Sequence, residues 1–242
     1  MQDLRLSTMN NERPFVKDMF SAIAPKYDLL NRLLSLRQDV YWRRVLVSTL
    51  CIPPNGRILD VACGTGDVLL ELIHRRGPAI MAVGVDFSLA MLTLAQGKQI
   101  SMDEDANMIL LAGNALALPF HDGTFDGVTI AFGIRNIVDK AQALQSFHRC
   151  LKAGGMLAVL ELTTPPKGFL RALYLFYFKR ILPLIGGFIS GDAHAYRYLP
   201  DSVVHFPESH VFAASMREAG FSQVAFRRLS LGIATLYTGV KK

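Results

Sequence analysis

A glycine-rich turn between a strand-like and a helix-like segment, at residues 58–67, constrains the fold of this chain more than any other feature. The segment reads I-L-D-V-A-C-G-T-G-D, so a short apolar run ends in a turn around Gly64 and Gly66. An apolar stretch of helical length follows it. A strand, a tight turn and a helix start in this order are typical of the place where open α/β sheets bind a nucleotide-like ligand. The two glycines allow backbone N–H groups to approach that ligand where a Cβ would clash.

The spacing around this turn indicates which ligand it binds. A dinucleotide site needs G-x-G-x-x-G, but Leu69 stands where the third glycine would be. Asp86 ends a second predicted strand twenty residues after Gly66, where a carboxylate can accept both hydroxyls of an adenosine ribose. Asp60 and Asp67 flank the turn, which suits a cationic sulfonium better than a pyrophosphate. The pattern favours S-adenosylmethionine over a nicotinamide cofactor, with Asp60, Gly64, Thr65, Gly66 and Asp86 as its binding residues.

Regular alternation of strand and helix patterns predicts one α/β domain over residues 1–242. βαβ order of this kind gives a doubly wound, mostly parallel sheet, here of seven strands with an antiparallel strand at one edge. Two helices precede the sheet in a helical cap over residues 1–50, and we expect Pro25 to break the first of them. The strands are predicted at 57–61, 81–85, 108–112, 125–131, 156–161, 222–229 and 233–240.

An apolar insertion at residues 163–207 interrupts this alternation and is expected to form a lid. Its run from Phe169 to Ile189 contains Arg171 and Arg180 and is broken by Pro183, so a membrane-spanning helix is not expected. Two roles stay open for it: a cap helix packed on the domain, or an apolar lid for a lipid substrate with basic residues facing phospholipid headgroups. The second role predicts peripheral contact with a membrane.

Composition bounds the class of protein. The chain is 51% hydrophobic and 19% charged, with a formal net charge of +6, which indicates a globular protein. Its three cysteines show neither C-x-x-C spacing nor a disulfide framework, so we expect no metal site. The polar first 17 residues lack an apolar stretch of signal-peptide length, which predicts a cytoplasmic protein, peripheral at the inner face of the membrane.

Polar residues follow the third and fourth predicted strands. Asn114 and Ala115 stand where the adenine of the cofactor is expected, since an amide can hydrogen-bond its exocyclic amine. Arg135 and Asn136 end the segment A-F-G-I-R-N, which begins at Ala131. A guanidinium above the sheet crevice is costly unless it meets a ligand or a carboxylate. We therefore favour a catalytic role for this pair over a surface ion pair.

Several motifs together resemble the quinone-biosynthesis C-methyltransferases, from about residue 14 to 241. The motifs are V-K-D-M-F-S-A-I-A-P-K-Y-D-L-L-N at 16–31, the glycine turn, A-L-P-F-H-D at 117–122, A-F-G-I-R-N at 131–136, L-K-A-G-G at 151–155, L-E-L at 160–162 and A-Y-R-Y-L-P-D-S-V at 195–203. The resemblance implies a Rossmann-like class I methyltransferase that converts demethylmenaquinol to menaquinol, or methylates the polyprenyl benzoquinol precursor of ubiquinone. It also implies cofactor contacts at Thr65, Asp86, Asn114 and Ala115, with Ala131 near the site.

These residues lead to a mechanism in which Arg135 and Asn136 stabilise an oxyanion that develops on the hydroquinone ring. Tyr27, Asp28, Asp126 and His194 are the candidate proton acceptors. Tyr196 and Tyr198 either line the ring pocket or pack the lid.

Three alternatives stay open. An RNA methyltransferase would use the same fold and the positive charge, but it should carry a basic and aromatic patch near the site. Another small-molecule methyltransferase would share the cofactor turn, and a binding module without chemistry would not need Arg135 and Asn136. We expect a prenylated quinol partner and no nucleic acid, and the sequence leaves a homodimer open.

Overall fold

One mixed sheet organises the molecule. The computed structural model describes residues 19–102, 107–166, 168–181 and 193–242. Within these residues the strands, in chain order, are β1 (Arg57–Val61), β2 (Met81–Asp86), β3 (Met108–Ala112), β4 (Phe125–Ala131), β5 (Leu151–Leu162), β6 (Phe221–Leu229) and β7 (Ala234–Lys241). They form a seven-stranded sheet in the order β3-β2-β1-β4-β5-β7-β6.

The sheet confirms the predicted doubly wound topology. Strands β1 to β5 pair in parallel, and β7 runs antiparallel between β5 and the edge strand β6. The central strands are buried over nearly their whole length, as expected where helices cover both faces. Strand β5 begins at Leu151 rather than at residue 156, because Leu151 pairs with Phe125 across a register shift.

Helices connect and cover the strands. In chain order they are α1 (residues 19–34 as described), α2 (Gln38–Thr49), α3 (Asp67–Arg76), α4 (Leu89–Met102), α5 (Lys140–Cys150), α6 (Phe169–Phe176), α7 (Ala193–Val204) and α8 (Ser209–Glu218). A 3₁₀ turn (Ile134–Asn136) follows β4, and a π-helical turn (Tyr177–Ile181) continues α6. The predicted N-cap of α5 is present, since the Asp139 carboxylate accepts the Gln142 N–H at 2.9 Å.

The predicted break at Pro25 is wrong, because α1 continues through it. A proline inside a helix removes one backbone hydrogen bond, and tertiary packing can outweigh that loss. Here Met19 and Leu30, on either side of Pro25, are buried in one apolar cluster with Tyr174 of α6. This packing keeps both halves of α1 in one continuous helix.

The same cluster places the N-terminal helices and the lid helices above the carboxyl end of β5. Phe178 and Val203 from the lid segment are buried in it, and Leu162 from the end of β5 packs against it. Residues 1–18 of the predicted cap and 182–192 of the predicted lid lie outside the described residues. No helix in the described part of the chain is long and apolar enough to cross a membrane.

Candidate functional site

A cavity of about 590 Å³, the first cavity, lies at the carboxyl ends of β1, β2, β3 and β4. Its position is that expected for a ligand of a doubly wound sheet. Five residues that were predicted at or near the cofactor site line this cavity. They come from the glycine turn and from the ends of three strands: Gly64, Asp86, Asn114, Ala115 and Ala131. Apolar side chains from Phe87, Met91 and Leu116 complete much of its wall.

Asp86 is held in place by backbone donors. Its two carboxylate oxygens accept the N–H groups of Gly64 and Ser88, each at 2.8 Å. The side chain is buried, and this desolvation raises the pKa of Asp86 despite the two donors. Gly64 has a φ of +55°, a conformation that glycine adopts without strain, and it turns its N–H toward the carboxylate. The glycine turn and the end of β2 are thereby joined at the cavity wall.

Three predicted cofactor residues lie beside the first cavity rather than on its wall. Asp60 is buried and accepts the Thr129 hydroxyl at 2.6 Å, and burial raises the pKa of Asp60 to about 7. The Thr65 hydroxyl donates to Asp28 at 2.7 Å. Gly66, with a φ of +82°, leads into α3. Asp60 thus bonds β4 and Thr65 bonds α1, and the contact of these three residues with a cofactor stays a prediction.

A charged network ties the N-terminal helices to the glycine turn. Asp67 contacts Arg32 at 2.7 Å, Lys98 at 2.7 Å and Arg43 at 3.2 Å. Lys98 also bonds Asp28 of α1 at 2.6 Å. Burial alone would raise the pKa of Asp67, but Arg43 and Lys98 outweigh it and hold that pKa at about 2. Asp67 therefore serves this network and does not line the first cavity.

A second cavity of about 370 Å³ adjoins the first. It lies between α1, α2 and the lid helices, and its wall is mainly apolar. Phe20, Tyr27 and Phe132 line both cavities and so form the boundary between them. The Phe132 ring packs against Trp42, with the ring centroids 6.0 Å apart, and lies under the Arg43 guanidinium. Two mainly apolar cavities thus meet at an aromatic wall.

Arg135 lines the second cavity and is paired with Glu161. The guanidinium donates to one carboxylate oxygen at 2.6 Å and also to the Phe132 carbonyl. The backbone N–H of Arg135 donates to the other oxygen of Glu161 at 3.0 Å. Burial would lower the pKa of Arg135, but the carboxylate raises it above its usual range. Arg135 is therefore a fixed cation in a buried ion pair, and the surface ion pair considered as its alternative role is not what the structure has.

Asn136, the next residue, lines the first cavity instead. A 3₁₀ turn sets successive side chains about 120° apart, so two adjacent residues can face two cavities. The side-chain oxygen of Asn136 accepts the Tyr198 hydroxyl at 3.1 Å. Tyr198 lines the second cavity and also packs against the lid cluster, so the structure is compatible with both roles left open for it. The pair Arg135-Asn136 therefore spans the boundary between the two cavities.

The candidate proton acceptors lie in different places in the structure. Tyr27 lies at both cavities, whereas Asp28 is engaged by Lys98 and Thr65. The prediction for Asp126 is wrong, because it lies at the amino end of β4, where it accepts a backbone N–H and a lysine. The side chains of His194 and Tyr196 lie outside the described residues.

Sequence reasoning assigned no role to Phe132 or Glu161, although both lie at the site. Phe132 has a φ of +58°, and no local sequence pattern predicts this backbone conformation. Glu161 carries a signal, since a lone carboxylate in the apolar run M-L-A-V-L-E-L needs a buried partner. That partner, Arg135, lies at the end of the neighbouring strand.

Solved structures share this architecture. A methyltransferase from Thermotoga maritima, titled S-adenosylmethionine-dependent and a possible histamine N-methyltransferase, matches with a TM-score of 0.66 and 21% identity, over 93% of this chain and 99% of that chain. The [4+2]-cyclase SpnF matches with a TM-score of 0.69 and 15% identity, over 93% of this chain and 94% of that chain. At these identities the likeness shows the fold, that of class I methyltransferases.

Sequence relatives are closer. The chain is 48% identical to the ubiquinone/menaquinone biosynthesis C-methyltransferase UbiE of Geobacter sulfurreducens, over 93% of this chain and 88% of the relative. It is also 48% identical to the demethylmenaquinone methyltransferase of Thermus thermophilus, over 91% of this chain and 99% of the relative. Residues 6–241 match the ubiE/COQ5 methyltransferase family as a whole. The chain therefore belongs to the ubiE/COQ5 methyltransferase family.

Proposed function

We propose that this protein transfers a methyl group from S-adenosylmethionine to a ring carbon of a prenylated hydroquinone. Demethylmenaquinol is the proposed acceptor, and the polyprenyl benzoquinol precursor of ubiquinone is a second one. The observation that carries the proposal is the meeting of two mainly apolar cavities at Phe20, Tyr27 and Phe132, the first with Asp86 and Asn114 in its wall and the second with Arg135. Relatives named for both reactions support the choice of acceptor.

The first cavity fits S-adenosylmethionine in its chemistry. Its volume of about 590 Å³ is within the usual range for cofactor sites. Asp86 offers a carboxylate for ribose hydroxyls, and Asn114 offers an amide for adenine. Among the described residues that line it there is no Lys or Arg, and the Gly64 N–H is bonded to Asp86. A pyrophosphate would need such donors, so a cationic cofactor fits better.

The second cavity fits a hydroquinone ring with an apolar tail. Its wall comes largely from aliphatic and aromatic side chains of α1, α2 and the lid, and it contains the fixed charge of Arg135. An apolar wall with few placed polar groups is typical of sites for such ligands. An RNA substrate would instead need a basic track with exposed stacking rings.

When bound, S-adenosylmethionine supplies an electrophilic methyl group. The chain's part is to make a ring carbon nucleophilic, which requires the adjacent phenol to give its proton to a base. Of the four predicted acceptors, Asp28 and His194 remain candidates for this role. Arg135 stays charged and stabilises the resulting oxyanion, with Asn136 beside it at the boundary of the cavities. Burial raises the pKa of Tyr27, so its hydroxyl is neutral near pH 7 and acts as a hydrogen-bond donor rather than as a base. Phe20, Tyr27 and Phe132 shield this boundary from water.

We also propose that α6 rests on a membrane surface. Phe169, Leu173 and Phe176, at positions i, i+4 and i+7, are 85%, 54% and 58% exposed. Leu173 also lines the second cavity, so this apolar face adjoins the cavity proposed for the lipid. The exposed Arg180 beyond it suits anionic headgroups. This contact would place the protein at the inner face of the cytoplasmic membrane, and a homodimer stays a prediction.

The experiment is direct methylation. Purified protein is given S-adenosylmethionine with an isotopically labelled methyl group and either demethylnaphthoquinol or the demethylated benzoquinol, each with a short prenyl tail. We expect one labelled methyl group on the naphthoquinol ring, found by mass spectrometry. Quinones extracted from cells that lack the protein should contain demethylmenaquinone. Absence of label from both quinols, with folded protein that binds S-adenosylmethionine, overturns the proposal.

A further inference from the structure

Two buried polar groups at the second cavity have no hydrogen-bond partner among the described residues. They are Nε of Arg135 and the hydroxyl of Tyr174. The Arg135 side chain is 6% exposed and Tyr174 is 7% exposed. A buried donor without an acceptor costs free energy, so such groups in a folded protein call for an explanation.

Other polar side chains around the same cavity have partners. The Tyr177 hydroxyl donates to the Leu34 carbonyl at 3.1 Å, and the Gln38 side-chain oxygen accepts the Ser230 hydroxyl at 2.8 Å. Tyr198 is bonded to Asn136. The two donors without a partner therefore differ from the other polar groups of this cavity. Both line the second cavity, which is the one proposed for the methyl acceptor.

The Tyr174 ring has a fixed place on α6. It stacks on Phe178, with ring centroids 4.8 Å apart and an interplanar angle of 22°. It is also buried in the cluster that α1 forms with the lid. Arg135 comes from the turn after β4, on a different element. Two fixed donors from two elements can hold two acceptor atoms of one rigid ligand.

We infer that the Tyr174 hydroxyl donates a hydrogen bond to the second oxygen of the hydroquinone, the one that is not adjacent to the methylated carbon. Arg135 takes the first oxygen, which becomes the oxyanion. A hydroquinone ring carries its two oxygens on opposite sides, so one donor from the turn after β4 and one from α6 can bind one oxygen each. This inference rests on the proposed function. It gives Tyr174, a residue of the lid, a role in selecting rings that carry two oxygen atoms.

Tyr174→Phe tests the inference, because it removes the hydroxyl and leaves the ring and its stacking. With a short-tailed demethylnaphthoquinol we expect KM to rise about tenfold, as for one lost hydrogen bond, with kcat and the Kd of S-adenosylmethionine within about twofold. The second probe is the matching prenylated naphthol, which lacks the second oxygen. Wild type and variant should bind and methylate the naphthol equally.

Tyr237→Phe is the matched control, because the Tyr237 hydroxyl is also buried but lies in the main core and lines neither cavity. It should leave KM unchanged for both probes. Tyr174→Phe should keep or raise Tm, since it removes a buried donor without a partner. Three results for Tyr174→Phe would overturn the inference. They are an unchanged KM for the naphthoquinol, an equal rise in KM for both probes, and a fall in Tm together with loss of activity. If wild type methylates neither quinol, the proposed function fails instead.

Discussion

The Arg135 guanidinium and the Glu161 carboxylate lie 2.6 Å apart inside the protein, with 6% and 0% of their side chains exposed. Glu161 also accepts the backbone N–H groups of Arg135 at 3.0 Å and of Leu162 at 2.8 Å. One carboxylate therefore fixes both the charge of Arg135 and the turn that carries it. This relationship makes Glu161 a positioning residue in the proposed reaction.

Glu161→Gln should destabilise the protein and lower kcat, because it leaves the Arg135 charge buried without its counter-charge. Breaking one side of a buried ion pair costs about 3–5 kcal/mol of unfolding free energy. Urea denaturation measures this loss. As a control, Asp122→Asn removes an exposed pair with Arg149 and should change stability by less than about 1 kcal/mol. Equal stability of the two variants would contradict the role given to Glu161.

Replacing Arg135 itself separates catalysis from cofactor binding. Arg135→Ala should lower kcat by about 10²-fold or more, as for loss of an oxyanion-stabilising group. The Kd of S-adenosylmethionine should stay within about twofold, because Arg135 lines the second cavity and not the first. Calorimetric titration and a methylation assay check the two values. Loss of cofactor affinity in a folded variant would place Arg135 in the cofactor site.

Asp86 should dominate cofactor affinity in the first cavity. Asp86→Asn keeps the size of the side chain but removes the charge that would bind the ribose hydroxyls, and it should raise the Kd of S-adenosylmethionine about 10- to 100-fold. Asp126→Asn is the control, since Asp126 lies at the opposite end of the sheet. The Asp126→Asn variant should bind S-adenosylmethionine with the same Kd as wild type. A Kd unchanged by Asp86→Asn would refute the cofactor assignment.

Asp60 should make a contribution to stability that is lost as pH rises. Burial raises the pKa of Asp60 from 3.8 to about 7 in the folded protein. The folded state then holds a proton that the unfolded state releases, so the contribution of Asp60 to the unfolding free energy is fully present below about pH 4 and is lost as pH rises through 7. A pKa difference of about three corresponds to roughly 4 kcal/mol. Asp60→Asn should flatten this slope in urea titrations, and a slope equal to that of wild type would show that Asp60 does not cause it.

The exposed face of α6 should carry membrane binding. The double variant Phe169→Ser with Phe176→Ser removes two aromatic rings that are 85% and 58% exposed. It should lower sedimentation with anionic phospholipid vesicles about tenfold or more, while turnover of a short-tailed quinol in detergent changes little. Ile100→Ser on α4, with an equally exposed apolar side chain at 61%, is the control. Equal vesicle binding by all three proteins would exclude α6 as the contact.

The sheet and the place of the first cavity follow from the amino-acid sequence alone. The strand before Gly64 and the position of Asp86 at the end of the next strand can be predicted from neighbouring residues in the chain. The spacing of apolar residues and the residue types of a turn are local properties of a sequence. Parallel βαβ order then brings successive strand ends to one edge without further information. Asn114 and Asn136 accordingly line the cavity that their positions after β3 and β4 predicted.

The second cavity and the roles of its residues depend instead on tertiary contacts. Pro25 does not break α1, because packing against Tyr174 outweighs the one lost hydrogen bond. Arg135 is held by Glu161, a residue of the next strand, and Asp126 is excluded because its carboxylate points to the other end of β4. These facts depend on contacts between residues far apart in the chain. Local propensity carries no information about such contacts, which arise only when the sheet, the N-terminal helices and the lid pack together.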